Sequence, residues 1–435
     1  MKQHYDILII GGGMVGASLA ASLIPAGKRL GLSIAVVEAF PMPDAGSVAY
    51  QPSYDARATA LAYGSRLIYE QIGIWEQLRE HLCPITDIHV SDKGRFGVSR
   101  LNAGDENVAA LGYVVENHWL GRVLMNRLAQ PDAQHIDLLC PAEVTAVNTL
   151  SDKMAVTLMT EGREHRLTAE LVVMADGGRS ELREQLGIGY RHKGYHQHAL
   201  VTNISPESPH HNIAYERFTD TGPMALLPLE DLSLDALAPA ELSAAESSSP
   251  LQEGRHRMGL VWTIPDDQID EMLALSDREF IERVHERFGY RAGVFVRVGE
   301  RYSYPLKLSV ADEQVRQGLI MLGNAAHALH PIAGQGYNLA LRGVVTLAAE
   351  LIRAREAGVN LGDINHLTRF AEQVRQDQRK TIGFSDKTMK LFSNNNPLLA
   401  LGRSAGLQLL DICPLAKTVF ARSAMGLDQP TPDLH

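Results

Sequence analysis

The sequence predicts an α/β fold: a Rossmann-type dinucleotide-binding domain, an antiparallel β-sheet domain and a helical C-terminus. Three observations carry that reading. An apolar run, Tyr5 to Ile10, leads into Gly11-Gly12-Gly13-Met14-Val15-Gly16 and then into a second apolar stretch. Near the far end, Gly323 to Asn338 repeats the order of strand, glycine-bearing loop and helix start. Between them, from about Tyr190 to Pro265, short alternating segments replace the strand–helix rhythm.

Composition bounds the answer further. A chain of 435 residues suits two or three domains, and 45% hydrophobic with 21% charged residues describes a folded chain with ample core. A net charge of −10 argues against a nucleic-acid partner, because phosphate binding needs a basic footprint. Cys83, Cys140 and Cys413 are scattered and odd in number, which suits free thiols in a reducing compartment. Ile7 to Gly27 carries no charge and is nearly long enough to span a bilayer, so an anchor or signal peptide is the alternative there. Gly11-Gly12-Gly13 would break such a helix early and Asp6 stands where a basic start is usual, so the chain reads as cytoplasmic.

Taken in order, Tyr5 to Ile10 is a buried parallel strand, Ala17 to Ile24 a helix, and Ser33 to Val37 a second strand closed by Glu38. In that setting Gly11 permits the turn, Gly13 lets the backbone reach a pyrophosphate, and Gly16 lets helix pack on strand. Glu38 is placed to accept from both ribose hydroxyls of an adenosine. Asp55-Ala-Arg57-Ala-Thr59-Ala-Leu61 opens a helix running toward Leu78, with Arg57 either an exposed first-turn charge or a ligand contact. Ile85 to Val90 and Arg95 to Leu101 form a hairpin around Asp92-Lys93-Gly94. Tyr113 to Glu116 leads into a helix near Trp119 to Leu128 that carries Arg122. Glu143 to Val147 and Met154 to Leu158 alternate as strands, with a turn at Glu161-Gly162. Leu171 to Ala175 is a buried strand ending at Asp176-Gly177-Gly178; Asp176 is placed to bind a ligand hydroxyl, to cap the helix from Glu181 to Leu186, or both.

Met224 to Leu229 and Met258 to Ile264 are strands, and Asp231 to Arg257 between them, rich in Ala, Ser, Glu and Pro, reads as a mobile insertion. His192, His196, His198, His210 and His211 cluster loosely, but no i,i+4 pair or carboxylate completes a metal site. Ser276 to Phe288 is a helix, and Gly299 to Leu306 leads toward the second glycine stretch. There, Leu319 to Leu322 is a buried strand and Leu339 to Arg353 a helix. The glycines allow a ligand close to the backbone, and the helix start offers N–H groups to an anion; alone, the stretch is equally a tight strand–helix connection. The glycine loop at the N-terminus tips the balance. Asn396-Pro397 starts a helix with Leu398, Leu401, Ala405, Leu409 and Ile412 on one face, and Pro414 starts another with Leu415, Val419 and Phe420.

The loops at Gly11–Gly16 with Glu38, at Asp176-Gly177, and at Gly323-Asn324 with Pro331–Gly336 together resemble the class A flavin monooxygenases of the p-hydroxybenzoate hydroxylase type. Order and spacing match over almost the whole chain. Pro331-Ile-Ala-Gly-Gln-Gly-Tyr-Asn-Leu339 looks like the signature of the ubiquinone-biosynthesis branch. His89-Val-Ser-Asp-Lys-Gly94, Glu216-Arg-Phe-Thr219 and Gly323-Asn-Ala-Ala326 are similar to the members that hydroxylate a 2-octaprenyl-6-methoxyphenol.

That resemblance implies an FAD site made by Gly11, Gly13, Met14, Val15, Gly16 and Glu38, with Arg57, Arg122, Asp176, Asn324, Gly334, Gln335, Gly336 and Asn338 also against the cofactor and Pro331 near the substrate. Asn324 departs from the family, most of which has Asp there; an Asn carbonyl also accepts a bond from a ribityl hydroxyl, without charge. The implied FAD domain is discontinuous (1–84, 111–189 and 291–370), with substrate-domain strands in 85–110 and 190–290 and C-terminal helices in 371–435. The implied reaction is hydroxylation of a polyprenylated methoxyphenol with NAD(P)H and O2 through a flavin C4a-hydroperoxide, and no side chain is assigned as catalytic. Other ubiquinone precursors or smaller phenols are alternatives, as are a flavin dehydrogenase or halogenase of this fold and a non-enzymatic FAD-binding protein. Implied partners are other ubiquinone-biosynthesis proteins, a second copy of the chain, and the inner membrane surface. The C-terminal helices either pack on the flavin domain or a second subunit, or meet an anionic membrane or lipid-carrying partner: from Lys387 to Arg422 the one acid is Asp411, against five Lys and Arg residues.

Overall fold

The computed structural model describes residues 1–41, 57–95, 97–178, 181–232, 255–329, 334–392, 406, 408, 411–428 and 432–434. In chain order the first strands are β1 (His4–Ile10), β2 (Ile34–Val37), β3 (Ala58–Ala62), β4 (Cys83–Ile85), β5 (Asp87–Asp92), β6 (Val98–Asn102) and β7 (Gly112–Glu116). Next come β8 (Ile136–Leu139), β9 (Glu143–Thr149), β10 (Met154–Thr160), β11 (Arg163–Met174), β12 (Tyr190–Pro206), β13 (Ile213–Thr219) and β14 (Gly222–Leu229). The last are β15 (Arg257–Pro265), β16 (Phe295–Val298), β17 (Tyr302–Ala311), β18 (Val315–Arg316), β19 (Leu319–Met321) and β20 (His327–Ala328). The helices used below are α1 (Met14–Ser22), α2 (Tyr63–Ile72), α3 (Asn117–Leu128), α4 (Asp277–Phe288), α5 (Gln335–Glu356), α6 (Ile364–Phe392) and α7 (Pro414–Ala424).

Among the described residues the strands form three sheets. The first runs β18-β19-β11-β1-β2-β8, with β10 joining β11 to β9. Its centre is parallel: β1 pairs with β11 and β2, and β11 with β19. Ile7 and Ile9 of β1 pack toward α1, α3 and α5, while Tyr5, Leu8 and Ile10 pack toward β9 and β10. Burial on both faces is why that strand reads as an unbroken apolar run.

The second sheet runs β20-β17-β12-β15-β14-β13-β5-β6, with β16 against β12. One face packs on α4 through Phe280, Val284 and Phe288. That helix starts with a capping box, in which Ser276 and Glu279 each satisfy the other's backbone N–H. β13 pairs in parallel with β5, so the hairpin β5–β6 extends a sheet that is otherwise antiparallel. The third sheet, β3-β7-β4, is small and sits between the other two.

Several expectations need correction. Residues 58–62 are not the start of a helix: β3 pairs antiparallel with β7, and α2 begins only at Tyr63. Ladder pairing with β7 outweighs the helix preference of Ala-Thr-Ala-Leu-Ala. Ile85 to Val90 is split between β4 and β5, which lie in different sheets. Beyond residue 290, β16 and β17 pair with β12 in the second sheet. Arg257 is no part of a loose insertion; it is fully buried in β15, with its guanidinium on the Glu116 carboxylate at 2.5 Å, and residues 233–254 lie outside the described ones. The start at Asn396-Pro397 with Leu398, Leu401, Ala405 and Leu409 also lies outside them, whereas Pro414 opens α7 as expected. No described helix is long and apolar enough to cross a membrane.

Candidate active site

The first glycine loop is shaped by two close approaches. A Cβ on Gly11, at φ 102°, would lie 2.7 Å from the Ala175 carbonyl oxygen, and one on Gly16 would lie 1.9 Å from that of Gly11. Glycine at both positions lets the ends of β1 and β11 meet and seats α1 on the turn. A Cβ on Gly13 would meet nothing within 4 Å, because that side faces a cavity. No side chain caps the start of α1, so its first N–H groups, which no helix can satisfy internally, face the same space.

Glu38, at the end of β2, is held by two backbone donors: Gly12 N–H at 2.8 Å and Phe40 N–H at 2.9 Å. A carboxylate has room for further donors beyond those two. Asp176 accepts from Gly178 N–H at 3.0 Å, so its side chain folds the turn after β11. Gly323, at φ 59°, lies against Val15, where a Cβ would come within 3.0 Å of Val15 Cγ2. This contact joins the second glycine stretch to the first. Asn324 is exposed, into the same cavity.

Gly334, at φ 60°, precedes α5, whose start is likewise uncapped by a side chain. Asn338 is buried and spends its amide on the protein. Its Oδ1 accepts from Ala62 N–H at 2.8 Å and Ser65 Oγ–H at 2.7 Å, and its Nδ2 donates to the carbonyls of Ala60 at 2.9 Å and Gly334 at 2.8 Å. It therefore clamps β3 to the start of α5. Beneath it, the hydroxyls of Tyr337 and Tyr69 are hydrogen-bonded to each other, and Tyr337 also to Ser18 at 3.2 Å. Burial raises both phenols above their ordinary range and keeps them neutral. His327 Nδ1 donates to the Gly323 carbonyl at 3.1 Å, and burial lowers its pKa.

The cavity these loops surround has a volume of about 800 Å³. One end is walled by Gly11, Gly13, Met14, Val15, Glu38 and Asp176, and its middle by Asn324, Gly334, Gln335, Gly336 and Asn338. Of the residues expected at the site, Gly16 packs behind the wall. Arg57 is exposed just ahead of β3, and the Arg122 guanidinium lies 5.4 Å over the Trp119 ring; the cavity wall includes neither. Pro331 lies outside the described residues. Among those residues no group of His, Cys, Asp and Glu is arranged to hold a metal. His210 of the loose cluster bonds to the Leu229 carbonyl at 3.0 Å.

The other end of the cavity was not legible in the loops. It is the second face of the nine-stranded sheet, where Ile88, Ala214, Ala225, Leu227 and Val261 stand around Glu216. The period-2 alternation of β13 and β14 was the available signal, because it places Ala214 with Glu216 and Ala225 with Leu227 on one face. β3 adds Thr59 and Ala60 to the wall. Burial pushes the Glu216 carboxyl up to about 7.

Among the described residues, a dinucleotide cradle thus opens, without a partition, onto an apolar sheet face that can receive an organic ring. The polar groups of the cradle also suit FAD: two uncapped helix starts offer N–H groups to phosphate, and the Glu38 carboxylate at the end of β2 has room for further donors. Fold and site together define an FAD-dependent aromatic-ring monooxygenase. The chain belongs to the family described as FAD binding domain, whose model matches residues 4–368. Its relatives include the ubiquinone hydroxylase UbiL of Rhodospirillum rubrum, 35% identical over 97% of this chain and 89% of that one. The 3-demethoxyubiquinol 3-hydroxylase of Escherichia coli is 28% identical over 98% of this chain and 100% of its own length. Among solved structures, the p-nitrophenol 4-monooxygenase PnpA of Pseudomonas putida superposes with a TM-score of 0.73 at 16% identity, covering 99% of this chain and 100% of that one, and so shares the fold.

Proposed function

We propose that this enzyme hydroxylates the ring of a polyprenylated methoxyphenol in ubiquinone biosynthesis, with NAD(P)H and O2 as co-substrates. The observation that carries the proposal is the continuity of the cavity from Glu38 to the apolar sheet face at Ala225 and Val261. A polar phenol would leave such a wall poorly matched, whereas a prenyl chain gains from each apolar contact. The ubiquinone hydroxylases among its relatives support the same reading.

In this proposal Gly11, Gly13, Gly16 and the start of α1 at Met14 and Val15 receive the pyrophosphate, and Glu38 receives the adenosine ribose. Asn324 accepts from a ribityl hydroxyl, and Asp176 lies near the pyrophosphate and the nicotinamide path. Gly334, Gln335 and Gly336 line the flavin end, Asn338 holds them in place, Arg57 and Arg122 turn in from outside the cavity wall to contact the cofactor, and Pro331 meets the substrate. Bound FAD would supply the oxygen activation, drawing its electrons from NAD(P)H. The protein's part is position and exclusion of water: Ile88, Leu227 and Val261 form a dry wall around the ring. The same proposal includes reversible contact with the inner membrane surface, other ubiquinone-biosynthesis proteins as partners, and a homodimer.

The test begins with the visible spectrum of the purified protein, in which a flavin band and FAD released on denaturation are expected. Aerobic turnover with 2-geranyl-6-methoxyphenol under labelled O2 should then add one labelled oxygen atom to the ring. NAD(P)H consumption without label in the product would favour a non-oxygenating oxidoreductase. Equal turnover of unprenylated phenols would move the substrate to a smaller phenol.

A further inference from the structure

We propose that Glu216 binds the ring hydroxyl of the substrate and serves as its proton acceptor during hydroxylation. The inference rests on the phenol-hydroxylase reading above and deepens it by assigning a catalytic residue.

The placement follows from the alternation of β13. Tyr215 and Arg217 point away from the cavity: the Tyr215 ring meets Phe288 at 5.8 Å and its hydroxyl donates to the Arg291 carbonyl, while Arg217 Nη1 donates to Ser91 Oγ at 3.3 Å. Ala214 and Glu216 point into it. In the row that crosses the sheet at Glu216, the neighbours are Val90 on β5 and Ala225 on β14, with Val261 next on β15. An acid therefore stands alone on an apolar face, beside an alanine that leaves room for a ring.

Its bonding is equally telling. Glu38 and Asp176, the acids at the dinucleotide end, are each held by backbone N–H groups. Among the described residues, no hydrogen bond or ion pair reaches the Glu216 carboxyl, and burial is the one cause that displaces its pKa. The Glu216 side chain is half-buried and opens into the cavity, where its carboxyl has no protein partner among the described residues and is free to meet a polar group of a ligand. The complementary group on a phenol is its hydroxyl. A carboxyl that titrates at about 7 can take up and return a proton at neutral pH.

The proton balance closes. A ring π pair forms the new C–O bond with one oxygen atom of O2 as the O–O bond breaks, and the other atom leaves as water, carrying the two electrons supplied by NAD(P)H. The phenol O–H bond breaks toward the Glu216 carboxylate, its electron pair closes a ring C=O, and Glu216 becomes the neutral acid. The hydrogen on the oxygenated carbon then leaves as a proton, the Glu216 proton returns to the ring oxygen, and aromaticity is restored. One ring hydrogen has been replaced by hydroxyl.

The experiment compares wild type with Glu216→Gln, Glu216→Leu and Glu216→Asp, using 2-geranyl-6-methoxyphenol and its methyl ether. Binding is measured by perturbation of the flavin spectrum, and hydroxylation by product analysis. Wild type is expected to bind the phenol at least about tenfold more tightly than the ether, a preference the Leu variant loses. The Gln variant still accepts a hydrogen bond but cannot take a proton, so it should keep the binding preference and KM within a few-fold while kcat falls about 100-fold. The Asp variant, with the acid set back by one methylene, should fall between the two. Such a split separates proton transfer from a merely structural role. Gln and Asp variants that match wild type in kcat, or a Leu variant that keeps the phenol preference, overturn the proposal while leaving the enzyme's function standing. A wild type that hydroxylates no phenol overturns the function, and this role for Glu216 with it.

Discussion

At the scale of single residues, the site contrasts acids the backbone holds with one it does not. Asn324 faces the cavity beside the second glycine stretch, where an amide oxygen can accept a bond from a bound cofactor. Asn324→Asp keeps an acceptor and is expected to retain FAD. Asn324→Leu removes it and should weaken FAD binding by about 1–3 kcal/mol, measurable by fluorescence titration of the apoprotein. Glu216 predicts an effect on stability. Its carboxyl is raised by burial from 4.5 to about 7, so the folded state binds a proton more readily than the unfolded chain does. For an acid shifted upward, stability is greatest at low pH and is lost as pH rises through that window. Without substrate, Glu216→Gln should therefore melt higher than wild type above pH 7, with the gap closing toward pH 4.5. A melting profile parallel to wild type across that range would contradict the shift.

At the scale of elements, the site depends on contacts between strands far apart in the chain. Asn338 ties β3 to the start of α5, and Gly323 sets the second glycine stretch against Val15. The buried Arg257–Glu116 pair does the same for the sheets, joining β15 of the large sheet to β7 of the small one. Both side chains are out of water, so removing either leaves its partner charged and buried. Arg257→Met alone should cost about 3–5 kcal/mol in denaturant unfolding, and Arg257→Met with Glu116→Leu should recover much of that loss. If the double variant is no better than the single one, the two residues do not act as a pair.

At the scale of the whole molecule, one surface is out of keeping with an acidic protein. Leu415 and Val419, 81% and 70% exposed, lie four residues apart on α7, and Ile412, 75% exposed, lies two residues ahead of the helix. Lys417, on the same helix, pairs with Asp105, while Arg422 follows in its last turn. An apolar face in a locally basic segment matches an anionic bilayer, where a polyprenyl phenol would be collected. Wild type is expected to float with anionic liposomes at low salt and to be released by salt. Ile412, Leu415 and Val419 changed together to Gln should abolish flotation without loss of FAD. Wild type that stays with the soluble fraction would rule out direct attachment.

By itself, the sequence determined the dinucleotide cradle, because its parts are local: a strand, a glycine turn, a helix start and Glu38 lie within forty residues and leave a backbone signature. It also determined the second glycine stretch, the helix from Ser276 and the helix start at Pro414, all set by neighbours a few residues away. Tertiary structure alone decided that 58–62 is a strand, since β7 lies some fifty residues further on and outbids local propensity. It turned Arg257 from the rim of a polar segment into the centre of a buried pair. It also made Glu216 a candidate for chemistry: nothing in Glu-Arg-Phe-Thr says which face of β13 would be left without a partner. That depends on β5, β14 and β15 enclosing it with valine and alanine, and burial, the force that moves its pKa, is a property of the assembled sheet.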